Sequence, residues 1–110
     1  MDVGDEVVRS STGFATGVGG SRETCGAILA GAQAIGIRYG RTDRAIPREP
    51  AVERTGELVR AFRTEFGAVS CRDLVAPFAD MADPARKAQC GRLVGFVARW
   101  VAATVAGARP

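Results

Sequence analysis

The sequence predicts an all-α protein, a small helical bundle of three main helices accompanied by one or two short helices. Apolar residues recur at the i, i+3, i+4 spacing of a helical face in three long segments. Glycine and proline residues bound these segments, and no window shows the sustained alternation that is typical of a strand. Because neither an internal repeat nor a change in composition divides the chain, we expect a single helical domain over residues 1–110.

The composition indicates how the core is built and which partners are expected. Of the residues, 46% are hydrophobic but only 6% are aromatic, so alanine, valine and glycine must bring the helices close together. The net charge is only +3, whereas a nucleic-acid-binding domain is usually more basic and carries clustered charge. We therefore expect no nucleic-acid partner. The arginines that crowd one loop are interpreted as a solvated helix end: Arg38, Arg41, Arg44 and Arg48.

The most apolar stretch of the chain does not predict a membrane span. It covers residues 93–108, is interrupted by Arg99 and is short for a bilayer. Residues 1–6 are acidic and lack the basic and apolar regions of a secretory signal. We therefore expect a cytoplasmic protein with no membrane partner. In a reducing compartment, its three cysteines would not form a disulfide scaffold.

The first part of the chain predicts a short helix followed by a turn. The helix is expected over about residues 5–15, with Asp5 as its N-cap. The turn is predicted at Gly17, Gly19 and Gly20, because glycine adopts backbone conformations that other residues avoid.

The second helix is predicted over about residues 22–39. Glycines within a helix cost about 1 kcal/mol each relative to alanine, so the glycines here indicate the close approach of another helix. Gly40 suits a left-handed helix end. The predicted inward stripe consists of Cys25, Ile28, Leu29, Ala32, Ile35, Gly36 and Tyr39.

A third helix is predicted over about residues 50–66, with Pro50 at its start and Gly67 at its stop. Ser70 then suits the N-cap of a short helix, which places Cys71 at that helix start. The apolar face of the third helix consists of Val52, Leu58, Val59, Phe62 and Phe66.

The last helix is predicted over about residues 85–106. Phe96 and Trp100 widen its apolar face. Its stripe consists of Cys90, Leu93, Val94, Val97, Val101 and Val105.

Three cysteines and the absence of histidine limit the chemistry. Without histidine there is no Cys–His nucleophile pair and no mixed Cys/His zinc site. No CxxC motif is present, and separated cysteines are more often buried packing residues than parts of a site. Cys25 is predicted in the first turn of its helix, where the helix dipole and Arg22 favour the thiolate. The sequence therefore predicts Cys25 as the attacking thiol.

Three cysteine-containing segments follow one another in a distinctive order: GGSRETCGAILAGAQAIGIRYG, FRTEFGAVSCRDL and KAQCGRLVGFVARWV. In this order they resemble the C_GCAxxG_C_C family of redox-active proteins, which are small and helical, with a glycine loop before a CGAxxG helix. The resemblance extends over about residues 8–106. It implies a redox role, through thiol/disulfide chemistry or through a bound metal or iron–sulfur centre.

The resemblance also implies the site residues. Cys25, Cys71 and Cys90 match the last three cysteines of the family. The first cysteine of the family, on an N-terminal helix, has no counterpart here, and Ala30 stands where the second glycine of CGAxxG is expected. A metal or cluster bound by three cysteines would need another ligand, a second subunit or an open position.

The glycines around Cys25 are the candidate cofactor-binding residues. Gly19, Gly20 and Gly26 lie in the loop and at the helix start, where backbone N–H groups can approach an anion. The loop lacks the lysine of a P-loop, so we do not expect a nucleotide.

Three functions remain open from the sequence. The first is dithiol/disulfide redox chemistry, in which Cys25 pairs with Cys71 or Cys90. The second is a metal or iron–sulfur site with the same three thiolates as ligands. The third is a non-catalytic interaction domain with structural cysteines, and exposure of Phe96 and Trp100 together would mark its partner surface.

The first two hypotheses require that folding gathers the sulfur atoms into one pocket. The ordinary expectation for Phe96 and Trp100 is burial in the core or in a dimer contact. The redox partner, the cofactor, assembly with a second copy and catalytic activity are left open.

Overall fold

The computed structural model describes residues 2–78 and 80–107 and is helical. The part of the chain it describes contains no strand, only an isolated antiparallel bridge between Thr24 and Ser70. Three long helices confirm the predicted main elements. The helices are α1 (Asp5–Ser10), α2 (Gly26–Tyr39), α3 (Glu49–Phe66), α4 (Cys71–Val75) and α5 (Pro84–Val105), and a 3₁₀ turn covers Thr12–Phe14.

Helix α5 covers most of the apolar stretch that was considered as a membrane span, and the end of that stretch, Ala108, lies outside the described residues. Among the helices that the structure describes, none combines the length and the apolar character needed to cross a bilayer.

Gly31 lets α2 lie close to both of the other long helices. A Cβ atom at this position would lie 2.7 Å from Leu58 Cδ2 of α3 and 2.7 Å from Val97 Cγ1 of α5. Both distances are too short for a carbon–carbon contact, so only glycine fits here. The predicted close approach of helices at the small residues of α2 is therefore confirmed.

The core lies where α2, α3 and α5 meet. Ile35, Leu58 and Phe62 are fully buried there. Phe66 and Phe96 pack with Phe62 as an aromatic cluster, with ring centroids 4.9 to 6.2 Å apart. The remaining buried members of this core are Cys25, Ile28, Leu74, Leu93, Val97, Trp100 and Val101.

The burial of the last helix confirms the core position of its aromatic residues. Trp100 is buried and Phe96 is half-buried, so they do not form an exposed pair. Val94 and Val52, predicted on inward stripes, are instead 57% and 54% exposed. On α5 the inward face is centred on Leu93, which turns its neighbour Val94 outward.

The helix ends follow the sequence signals at most positions. Ser70 Oγ accepts a hydrogen bond from Asp73 N at 3.1 Å, as its predicted N-cap role requires. Gly67 ends α3 in the left-handed conformation, with φ of 81°. Asp83, which was not predicted as a cap, accepts a hydrogen bond from Ala85 N at 2.9 Å at the start of α5.

Three predictions about helix ends were wrong. Gly40 follows α2 with φ of −73°, which is an extended and not a left-handed conformation. A Cβ atom at Gly40 would instead collide with the Gly36 carbonyl oxygen, so glycine is needed there for close backbone packing. The first helix is shorter than predicted, and its N-cap is Gly4, with Asp5 as the first helical residue.

Helices α2 and α5 run in the same direction. Gly31, in the first half of α2, faces Val97 in the second half of α5. At the far end, the Tyr39 hydroxyl donates a hydrogen bond to the Thr104 carbonyl oxygen at 2.9 Å. The starts of both helices therefore lie at the same end of the bundle, near the cysteines.

Candidate thiol site

A short backbone pairing joins the segments that carry Cys25 and Cys71. Cys25 N donates to the Val69 carbonyl oxygen at 2.9 Å, and Cys71 N donates to the Glu23 carbonyl oxygen at 2.6 Å. These bonds flank the bridge between Thr24 and Ser70. Because side chains alternate across an extended pair, both cysteines, each one residue past the bridge, lie on the same side of it.

This pairing also explains why α2 begins later than predicted. Arg22 and Glu23 use their carbonyl oxygens to accept hydrogen bonds from Arg72 N and Cys71 N, and so they are not available to a helix. Helix α2 starts at Gly26, and Cys25 is its N-cap and does not lie in its first turn. The segment that causes this late start, residues 69–72, is distant in the sequence, so no local pattern indicates it.

The glycine turn before Cys25 packs against Cys71. Gly17 is buried with φ of 68°, and a Cβ atom there would lie 2.6 Å from Cys71 Cβ and 2.7 Å from Arg22 Cα. Thr16, Val18 and Arg22 also have positive φ values, which non-glycine residues rarely adopt. The turn predicted from the glycines is therefore present, and Gly17 is the residue of this turn that packs against Cys71.

The three glycines predicted to bind a cofactor have different surroundings. Gly19 and Gly20 are exposed, with φ of 61° and 76°, and a Cβ atom at either would have no neighbour within 4 Å. Gly26 lines the cavity described next. A Cβ atom at Gly26 would lie 2.5 Å from the Phe14 carbonyl oxygen, so glycine is needed here for the 3₁₀ turn to pack against the start of α2.

All three cysteines line one cavity of about 510 Å³. Their thiols are free; Cys25 and Cys71 are buried, and Cys90 is half-buried. The cavity is bounded by the segment before α2 and by the helices α2, α4 and α5. Its other lining residues are Ser11, Phe14, Ala15, Thr16, Gly17, Gly26, Ala27, Ala30, Gly31, Ala34, Val75, Met81, Arg86, Leu93, Val94, Val97, Ala98 and Val101.

Burial makes Cys25 a poor thiolate. Desolvation raises the pKa of the Cys25 thiol above its ordinary value, and negative charge on Cys71 or Cys90 raises it further. Backbone hydrogen bonds from Ala27 and Ile28 at the start of α2 lower the pKa but do not offset the burial. The pKa of Cys25 is therefore raised despite its position at the helix start, where the thiolate was predicted to be favoured.

Cys71 lies in an environment where several charges meet. Burial raises the pKa of its thiol, and negative charge on Cys90 raises it further, whereas Arg22 and Arg86 lower it. Arg22, predicted to assist Cys25, therefore lowers the pKa of Cys71. Negative charge on Cys90 thus raises the pKa of Cys71, and negative charge on either of these residues raises the pKa of Cys25.

Arg86 is a site residue that the sequence analysis missed. Its Nη1 donates to Cys90 Sγ at 3.6 Å, and its Nη2 donates to the Met81 carbonyl oxygen. Its Nε is buried and has no hydrogen-bond partner. The only sequence signal was the spacing of four residues between Arg86 and Cys90, which places both on one helical face.

The residues do not fit the metal centre that the resemblance implied. Within residues 2–78 and 80–107, no group of three or more Cys, Asp or Glu side chains is arranged to hold a metal ion. We therefore derive no chemistry through a metal or cluster from the positions of Cys25, Cys71 and Cys90.

One protein-family model that matches the chain describes a family of cysteine-containing proteins. The family is described as "Putative redox-active protein (C_GCAxxG_C_C)", and the match covers residues 1–104. Neither the curated proteins nor the solved structures gave a match to the chain. The matched region includes all three cysteines and the starts of the helices that line the cavity. The chain therefore belongs to the C_GCAxxG_C_C family.

Proposed function

We propose that the protein carries out thiol–disulfide redox chemistry, with Cys90 and Cys71 as the working dithiol. The observation that supports this most strongly is the convergence of three cysteines from separate segments on one cavity. Charge on Cys90 also raises the pKa of Cys71, which supports a position of the Cys90 sulfur near Cys71. Membership of a family described as redox-active supports the same class of chemistry.

Cys90 is the proposed attacking thiol, in place of Cys25. Its side chain is half-buried, whereas the other two cysteines are buried, so an external molecule reaches Cys90 first. Arg86 donates to its sulfur at 3.6 Å. A guanidinium group beside sulfur stabilises the negative charge that a nucleophilic thiol acquires.

The oxidant in this proposal is a small external disulfide. The Cys90 thiolate attacks one sulfur of that disulfide, whose S–S bond breaks, and the other sulfur leaves as a thiolate and takes up a proton. Cys71 then gives its proton to solvent and attacks the Cys90 sulfur. A Cys71–Cys90 bond forms and the second external thiol is released, so two electrons pass from the protein to the external disulfide.

Cys25 is not oxidised in this scheme. Its pKa is raised by burial and by the other two thiols, which disfavours the anion that attack requires. Its backbone instead joins the two segments at the site, through the hydrogen bond from Cys25 N to the Val69 carbonyl oxygen.

The test is a count of free thiols before and after incubation of the reduced protein with glutathione disulfide. We expect two thiols to be lost and peptide mass spectrometry to find a bridge between Cys71 and Cys90. Cys25→Ser is the matched control and should still form this bridge. Cys90→Ser should stay fully reduced. Three persisting thiols in the wild-type protein, or a bridge that uses Cys25, would contradict the assignment.

A further inference from the structure

The cavity is an elongated groove with one polar end. Its lining positions on α5 extend from Arg86 to Val101, which at 1.5 Å per residue corresponds to about 22 Å. Helix α2 runs parallel to α5 along the same length, from Cys25 to Ala34. A volume of about 510 Å³ lies within the range of small-molecule sites.

The thiols and the one charged side chain lie at one end of this groove. The thiols and Arg86 lie at the end where α2 and α5 begin, and the far end is lined by small aliphatic side chains. Among the lining residues that the structure describes, Arg86 is the only charged one and no carboxylate is present. The aliphatic end consists of Ala30, Ala34, Val97, Ala98 and Val101, and the exposed Val94 lies on the rim.

Arg86 has hydrogen-bonding capacity that the protein leaves unused. Its two terminal nitrogens carry two N–H groups each, and each nitrogen makes one hydrogen bond within the protein, to Cys90 Sγ and to the Met81 carbonyl oxygen. A carboxylate is the group that a guanidinium binds best, since it accepts more than one N–H.

We infer that the groove binds a linear aliphatic carboxylate, with its head group at Arg86 and its chain along the apolar wall between α2 and α5. The length of the groove and its single charged residue fit this occupant, whose carboxylate would accept from the terminal nitrogens of Arg86. The binding does not depend on the proposed redox chemistry. A ligand head group at Arg86 would lie beside Cys90 and shield its sulfur from solvent.

The test measures decanoate binding to the reduced protein by isothermal titration calorimetry, with decanol and acetate as probes for the tail and the head alone. We expect one decanoate per chain, weaker binding of decanol and no saturable binding of acetate. Loss of a hydrogen bond to a charged group corresponds to about tenfold or more in affinity. Arg86→Gln should therefore weaken decanoate binding by about that factor.

Matched variants separate this effect from a general loss of folding. Arg99→Gln removes an exposed arginine of α5 that does not line the groove and should bind decanoate normally. Ala98→Phe should block the tail end, whereas Ala102→Phe, one turn further along α5 and outside the lining, should not. Bound decanoate should also slow alkylation of Cys90 by iodoacetamide.

Three results would overturn the inference. The first is no saturable decanoate binding to the folded protein. The second is binding that neither Arg86→Gln nor Ala98→Phe weakens. The third is a dimer in sedimentation that Val94→Glu dissociates, since a second copy would then occupy the groove. Binding that persists in Cys71→Ser and Cys90→Ser would support the inference even if the redox proposal fails.

Discussion

Arg86 Nη1 lies 3.6 Å from Cys90 Sγ, one helical turn earlier on the same helix. This contact gives Cys90 a positively charged neighbour, whereas the buried Cys25 relies on backbone N–H groups alone. The cysteines therefore have different surroundings, although their positions look alike in the sequence.

The first prediction concerns this arginine. Arg86→Gln should slow alkylation of Cys90 by iodoacetamide at pH 7.5 or so, by about twofold to fivefold, since the pair is half-exposed and solvent screens it. Peptide mass spectrometry at timed intervals measures the rate at each cysteine. Arg99→Gln, an exposed change on the same helix, is the control and should leave the rate unchanged. An equal rate in both variants would show that Arg86 does not assist the Cys90 sulfur.

The second prediction concerns pH. The pKa values of Cys25 and Cys71 are raised in the folded protein, chiefly by burial. As the pH rises, these thiols ionise first in the unfolded chain, at about pH 8.5, so the unfolded state binds fewer protons and the free energy of unfolding falls. The contribution of the two buried thiols to stability is fully present below that pH. It is lost as the pH rises through their pKa values in the folded protein.

Urea unfolding between pH 7 and pH 10 measures this dependence. Cys25→Ala removes one of the two groups and should make the decline with pH shallower, whatever its effect on stability at pH 7. If the wild-type protein and this variant lose stability in parallel above pH 8, then burial of the Cys25 thiol is not the cause.

The third prediction concerns Gly31, where α2 meets both other long helices. Gly31→Ala places a methyl group 2.7 Å from Leu58 Cδ2 and Val97 Cγ1, so it should destabilise the protein by about 1–3 kcal/mol. Gly36→Ala is the matched change, since it lies in the same helix with no neighbour within 4 Å of the added atom. It should be neutral or stabilise by up to about 1 kcal/mol. Denaturant unfolding of the two variants, compared with the wild-type protein, decides between these outcomes.

The fourth prediction concerns Gly17, which packs against Cys71 in the left-handed conformation. Gly17→Ala adds backbone strain and a contact of 2.6 Å with Cys71 Cβ, so it should lower the free energy of unfolding by about 2–4 kcal/mol. Gly19→Ala has the strain without the collision and should cost about 1 kcal/mol. Faster alkylation of Cys71 in Gly17→Ala would show that the turn covers this thiol. If the two variants have equal stability, the contact with Cys71 is not limiting.

Local signals were sufficient for the helices. The periodic apolar residues predicted α2, α3 and α5, and Gly67 and Ser70 marked an end and a start, because the responsible contacts lie within a few residues. The predicted start of α2 was wrong for the opposite reason. Residues 22–25 pair with residues 69–72, and this partner segment cannot be recognised from the local sequence.

The sequence by itself determined a helical protein of the C_GCAxxG_C_C family, with three cysteines and no histidine. Only the tertiary structure decided that these cysteines share one cavity, that Cys25 is too buried to ionise readily and that Arg86 contacts Cys90. Helical periodicity depends on neighbours along the chain, whereas the ionisation of a thiol depends on burial and charges contributed by other segments. The folded arrangement therefore distinguishes three cysteines that the sequence leaves equivalent.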